Sequence, residues 1–219
     1  MSSELYQQLL ATTTGLLLLS AVLQVWGRST VRAIRLLVIQ GTALAGLVLT
    51  VGVQAGEAAA PLVAGLLFVV KALVMPWVML RSARLIGVTR ERSARLRPAV
   101  ELIGAAGLTL LAYAVSGPIL GDTTDPATRA VPVGVSLVLL GFWQLLIRGS
   151  AITQLVGFLM LDNGIAAISS LTSGGLPLVV ELGATLDVLL VVLILGALVV
   201  RMQAEEGHID ISELRELHD

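Results

Sequence analysis

Four ionisable side chains lie inside stretches that are otherwise apolar: Lys71, Asp162, Glu181 and Asp187. A charge in hydrocarbon is expensive, roughly 2.5–3.5 kcal/mol at a helix centre even on lenient scales. At about 1.5 Å of rise per residue, Asp162, Asp187 and Lys71 each fall some twelve residues into their runs, near one common depth, and Glu181 about two turns in. Burial in general raises a carboxyl pKa and lowers that of an amine, and opposite charge counters both. Groups poised in this way exchange protons, so the four read as a proton relay. The alternative for Lys71 is an ion pair with an aspartate that only docks helices. Asp187 is six residues from Glu181, about 120° around a helix, so the two cannot both face one neighbour squarely.

Those groups need a hydrophobic frame, and the composition supplies one. The 219-residue chain is 56% hydrophobic and 13% charged, with mean hydropathy +0.94, about half the charge of a soluble domain. Net charge is −1, which gives no pull toward nucleic acid. The absence of cysteine excludes disulfides, iron–sulfur clusters and a thiolate-held nickel–iron centre. Both histidines, His208 and His218, lie in the polar tail, which excludes a membrane haem held by paired histidines. No cofactor is expected, and no loop gathers a catalytic cluster, so the chain is not expected to be an enzyme by itself.

Seven segments are long and apolar enough to span a bilayer: 5–27, 31–54, 58–80, 99–119, 131–148, 150–171 and 176–200. The expected fold is an all-α integral membrane protein of seven transmembrane helices. Glu4 in the leading flank and the length of the first apolar run favour a span over a signal peptide. Of the 14 basic residues, Arg28, Arg32, Arg35, six arginines of the loop 81–97, Arg148, Arg201 and Arg215 fall on one side of this topology. Arg129 falls opposite. Positive charge marks the cytoplasm, so the N-terminus is expected outside and the C-terminus inside, in the plasma (inner) membrane.

Pro61 sits where a first helical turn tolerates it, and Pro76, five residues after Lys71, should disturb the third helix. Glu101 opens the fourth span, where a helix dipole favours a carboxylate, and is the candidate inner mouth of a proton path. Asn163 and Gln154 offer amides for water or for neighbouring helices. The arginine loop marks topology and meets lipid headgroups. In the tail, Ile211, Leu214 and Leu217 make a short apolar stripe behind a start like a capping box.

The run Gly157-Phe158-Leu159-Met160-Leu161-Asp162-Asn163-Gly164, then Gly175-Leu176-Pro177-Leu178, Val180-Glu181-Leu182-Gly183 and Asp187, resembles the hydrogenase-4 component E family. That family is found in formate hydrogenlyase-type and related membrane-bound hydrogenase complexes. The stretch from Lys71 to Pro76 resembles its third helix, and the C-terminal part resembles the small K subunit of respiratory complex I. The resemblance implies that Asp162 and Glu181 stand where two buried glutamates are expected, Asp162 being one methylene shorter. It implies a five-helix region, 1–149, a two-helix part similar to that K subunit, 150–201, and a short cytoplasmic tail, 202–219. It further implies a non-catalytic subunit of an oxidoreductase complex that contributes to proton or sodium translocation. Its partners would be antiporter-like membrane chains, a membrane chain like the H subunit of complex I, and a cytoplasmic hydrogenase-like redox arm. A scaffold of the same complex and a free-standing transporter are the alternatives.

Overall fold

The computed structural model describes residues 2–27, 29–85, 98–121 and 123–173, together with Leu189 and Gly196. These residues are helical with short connections. Among the described residues six helices are long and apolar enough to cross a membrane, and they correspond to the first six segments expected from hydropathy. The seventh segment, with Glu181 and Asp187, lies outside the described residues except for Leu189 and Gly196, both helical. The tail 202–219 and most of the arginine loop also lie outside them.

The first two spans are α1 (Ser3–Trp26) and α2 (Thr30–Gln54). Each starts on a serine, Ser2 or Ser29, whose hydroxyl accepts a backbone N–H from the first turn, relieving one of the unmet donors at a helix start. Gly56, at φ +79°, turns the chain after α2, a conformation glycine adopts without a Cβ penalty.

The third span is not a uniform α-helix. It begins as α3 (Ala60–Leu67), with Pro61 in its first turn, passes through a π-helical segment (Phe68–Val74), and resumes as α4 (Met75–Leu85). The cause is Pro76. It has no N–H to give the carbonyl four residues back. The backbone ahead of it widens instead, with the Met75 N–H donating to the Val70 carbonyl, five residues back. The disturbance expected at Pro76 therefore takes the form of a wide turn, and Lys71 sits in the middle of it.

The fourth span is α5 (Pro98–Leu120). A one-turn helix, α6 (Pro126–Arg129), follows and leads into α7 (Val131–Ile147). Asp125 caps α6: its carboxylate accepts the N–H groups of Ala127 and Thr128 and the Thr128 hydroxyl. Burial pushes the Asp125 carboxyl up, but these hydrogen bonds prevail and hold it below the usual carboxylate range. The last complete helix among the described residues is α8 (Ala151–Ser173).

In a bilayer, close van der Waals packing between small residues holds helices together, since lipid is as apolar as leucine. The α7–α8 hairpin shows how. A Cβ at Gly141 would lie 2.7 Å from the Leu161 nitrogen and 2.8 Å from the Gly157 carbonyl oxygen. One at Gly164 would lie 2.7 Å from the Val138 nitrogen and 2.8 Å from the Gly134 carbonyl oxygen. Glycines seven residues apart on each helix thus let the two backbones touch at two levels. Helix α2 packs against α1, α8 and the whole third span, and α2 and α8 are the most buried of the six spans, α5 the least. One apolar cluster joins α1, α2, α3, α5, α6, α7 and α8. A second joins α2, α4 and α8 through Ile34, Leu37, Met75, Met79 and Val156, with Leu189 packed on it. At the end of the bundle that carries the basic turns, Arg32 stacks over Trp26 and Arg81 over Trp77, each 5.8 Å from the ring centroid, an arrangement suited to headgroup depth.

Candidate functional site

Midway along α8, Asp162 and Asn163 project into the bundle, and both are buried. Helix α2 supplies Gln40 and Gly41 at the same level, and the π turn supplies Lys71. The Lys71 Nζ lies 2.5 Å from the Asp162 Oδ2, with side-chain exposures of 3% and 11%. The same Nζ donates to the Asn163 Oδ1 at 3.2 Å, and the Asn163 Nδ2 donates to the Gln40 Oε1 at 3.3 Å. Four side chains from three spans form one polar cluster in an apolar interior. The Gln40 Nε2 has no protein partner among the described residues, so one donor is left over at the site. Buried polar groups are nearly always satisfied, and a water or another chain segment would find a donor here.

Two backbone features put Lys71 in place. The π turn widens the helix around it, a distortion frequent at functional sites. On the facing helix, a Cβ at Gly41 would lie 2.8 Å from both the Ala72 nitrogen and the Lys71 carbonyl carbon. Helix α2 therefore presses directly on the wide turn, and only a residue without a side chain permits it. The cluster is held by backbone contact on two sides: α2 on the π turn, and α7 on α8 at Gly164, next to Asn163.

A second polar cluster lies near the basic end. Glu101, in the first turn of α5, is fully buried and pairs with Arg148 at 3.4 Å. Arg148 ends α7 and is 1% exposed; its Nη2 also donates to the Val25 carbonyl near the end of α1. That carbonyl is one of the last four of its helix, which have no intrahelical donor. Sequence reading places Arg148 in a cytoplasmic turn and gives Glu101 a helix dipole for company. The structure keeps both at those helix ends and turns their side chains inward, where they join. Gln144 donates to the Thr153 carbonyl at 3.3 Å, and Gln154 to the Arg148 carbonyl at 3.1 Å.

The two clusters are separated along α8 by the nine residues from Thr153 to Asp162, a rise of roughly 13 Å. Val156, Leu159 and Met160 are buried between them. Among the described residues this layer is apolar. Of the sequence candidates, Lys71 and Asp162 come together, Glu101 stands apart with Arg148, and Glu181 and Asp187 lie outside the described residues. Gln40 escaped the sequence reading. Its signal was an amide beside a glycine in the middle of an apolar run.

Relatives bear on what such a cluster serves. Over 223 residues, covering all of both chains, the protein is 39% identical to the uncharacterized protein Rv0085 of Mycobacterium tuberculosis. The chain belongs to the family of that mycobacterial protein. It is also 25% identical over 150 residues to hydrogenase-4 component E of Escherichia coli K12, covering 68% of this chain and 69% of that protein. The Shigella flexneri protein of the same name matches to the same extent. No family model matches the chain, and no solved structure matches it significantly. The motif resemblance thus corresponds to a distant likeness over two thirds of the chain, without assigning the chain to component E.

Proposed function

We propose that this protein is a non-catalytic, multi-pass membrane subunit of a hydrogenase-like respiratory complex, and that its buried charges form part of an ion-translocation path. The likeness to hydrogenase-4 component E and the six apolar helices support the first half. The buried Lys71–Asp162 pair with Asn163 and Gln40 is the observation that carries the second. An amine and a carboxylate in contact at mid-span can hand a proton between them, and the surplus Gln40 donor offers a place for a hydrogen-bonded chain to continue. On this reading Lys71 and Asp162 are the central relay, Glu181 and Asp187 extend it, and Glu101 is its mouth on the basic side. The chain is oriented with its N-terminus outside and its C-terminus in the cytoplasm of a plasma membrane. Antiporter-like chains, a chain like the H subunit of complex I and a cytoplasmic redox arm are its partners, and the moved ion is a proton or sodium.

A second reading has support of its own. The same ion pair binds the third span to α8, while Asn163 ties α8 to α2, which is what a scaffold requires. The assembled complex, purified from native membrane and reconstituted, separates the two. Under the relay reading Asp162→Asn and Glu181→Gln leave electron transfer measurable and lower the ions moved per electron. If those variants reduce only the yield of complex, with the ratio unchanged, the charges are structural and the relay is wrong.

A further inference from the structure

At the end of the bundle away from Arg32 and Arg148, two adjoining cavities of about 440 and 400 Å3 share two walls, Tyr113 of α5 and Arg129 of α6. Cavities of several hundred Å3 are the size that holds small ligands. The first is bounded by Gly117 and Gly121, and a Cβ added at Gly117 would meet nothing within 4 Å. The missing side chain is part of what keeps this space open. The second runs along α1, where Gln7, Leu10, Ala11 and Thr14 line it at the i, i+3, i+4, i+7 spacing of one helix face.

Arg129 is exposed and its Nε donates to the Thr123 carbonyl at 2.9 Å, which fixes the head of the side chain at the rim. It makes no ion pair among the described residues. The neighbouring carboxylate, Asp125, is committed to capping α6. A guanidinium held at the rim by the Thr123 carbonyl, with no ion pair among the described residues, above a groove of mixed polar and apolar lining matches a molecule with an anionic head and a hydrocarbon tail.

We infer that this groove binds one anionic phospholipid, its phosphate at Arg129 beside Tyr113 and an acyl chain against Leu10 and Ala11. Guanidinium recognises phosphate through charge-assisted, often paired hydrogen bonds. The groove supplies the apolar contact that a headgroup site alone lacks. This inference is independent of any role in ion translocation.

The test uses the full chain purified in mild detergent, titrated with phosphatidylglycerol or with phosphatidylcholine of the same acyl composition, and read by native mass spectrometry. Wild type should retain one phosphatidylglycerol under conditions that strip phosphatidylcholine. Arg129→Gln should weaken phosphatidylglycerol retention about tenfold, as expected for loss of one charge-assisted contact, and Arg129→Lys should restore part of it. Gly117→Leu, whose Cβ would meet nothing within 4 Å, narrows the first cavity beside Arg129 and should weaken retention of both lipids. Circular dichroism of each variant should match wild type. Equal retention of the two lipids by wild type would overturn the proposal, as would undiminished phosphatidylglycerol binding in both Arg129→Gln and Gly117→Leu.

Discussion

Replacing Lys71 by methionine leaves Asp162 buried without its cation; replacing Asp162 by leucine leaves Lys71 without its anion. Breaking a buried pair from one side costs about 3–5 kcal/mol, because the surviving charge is left uncompensated. Contact at 2.5 Å and side-chain exposures of 3% and 11% place this pair in that regime, and outside the exposed one in which pairs are worth under about 1 kcal/mol. The double variant Lys71→Met/Asp162→Leu removes both charges, and in such cases stability is regained or exceeded. Each single variant should therefore unfold at clearly lower temperature than wild type, by about 2–4 °C per kcal/mol for a chain of this size. The double variant should recover most of the loss. Thermal unfolding of the detergent-solubilised protein, followed by size-exclusion chromatography with fluorescence detection, gives the four values of the cycle. A coupling of about 3 kcal/mol is expected, against about 0.3–0.5 for sites that do not interact. Losses in the double variant equal to the sum of the singles would refute a direct pair. A stable double variant also separates the two functional readings, because it keeps the fold and has neither charge to relay a proton.

Two further predictions rest on packing. Gly141→Leu drives a side chain into the Leu161 and Gly157 backbone and should destabilise by about 1–3 kcal/mol, whereas Gly107→Ala, with open space at its Cβ, should be neutral or stabilising by about 0.5–1 kcal/mol; unfolding temperatures of the two variants decide it. Arg148→Met removes both the partner of Glu101 and the donor to the Val25 carbonyl, so it should lower the unfolding temperature more than Glu101→Gln does, and the reverse order would argue against Arg148 as the tie between α1 and α5.

Hydropathy was enough to find the six described spans, because each must present about 20 apolar residues to cross a bilayer. Rise per residue was enough to put Lys71 and Asp162 at one depth. Neither quantity gives azimuth, and so the partner of Lys71 could not be chosen between Asp162 and Asp187 from sequence. That choice depends on which helices touch, which is set by glycines such as Gly41 and Gly141, whose role appears only once the facing backbone is known. Arg148 was unreadable for a related reason. A basic residue at the end of a span ordinarily reaches for headgroups, and only the position of Glu101 and the end of α1 turns it inward. The wide turn at Lys71 was half legible: Pro76 announces a lost hydrogen bond, but not how the backbone absorbs it.

The polar ties of this bundle join distant parts of the chain. Lys71 waits 91 residues for Asp162, Gln40 waits 123 for Asn163, and Val25 waits 123 for Arg148. Synthesis delivers the N-terminal helices first, so the early spans enter the bilayer carrying an unmatched lysine, an idle amide and an unanswered carbonyl. The hairpin of α7 and α8 thus completes these three ties, and nascent chains that end before it should be the ones a membrane quality-control protease removes.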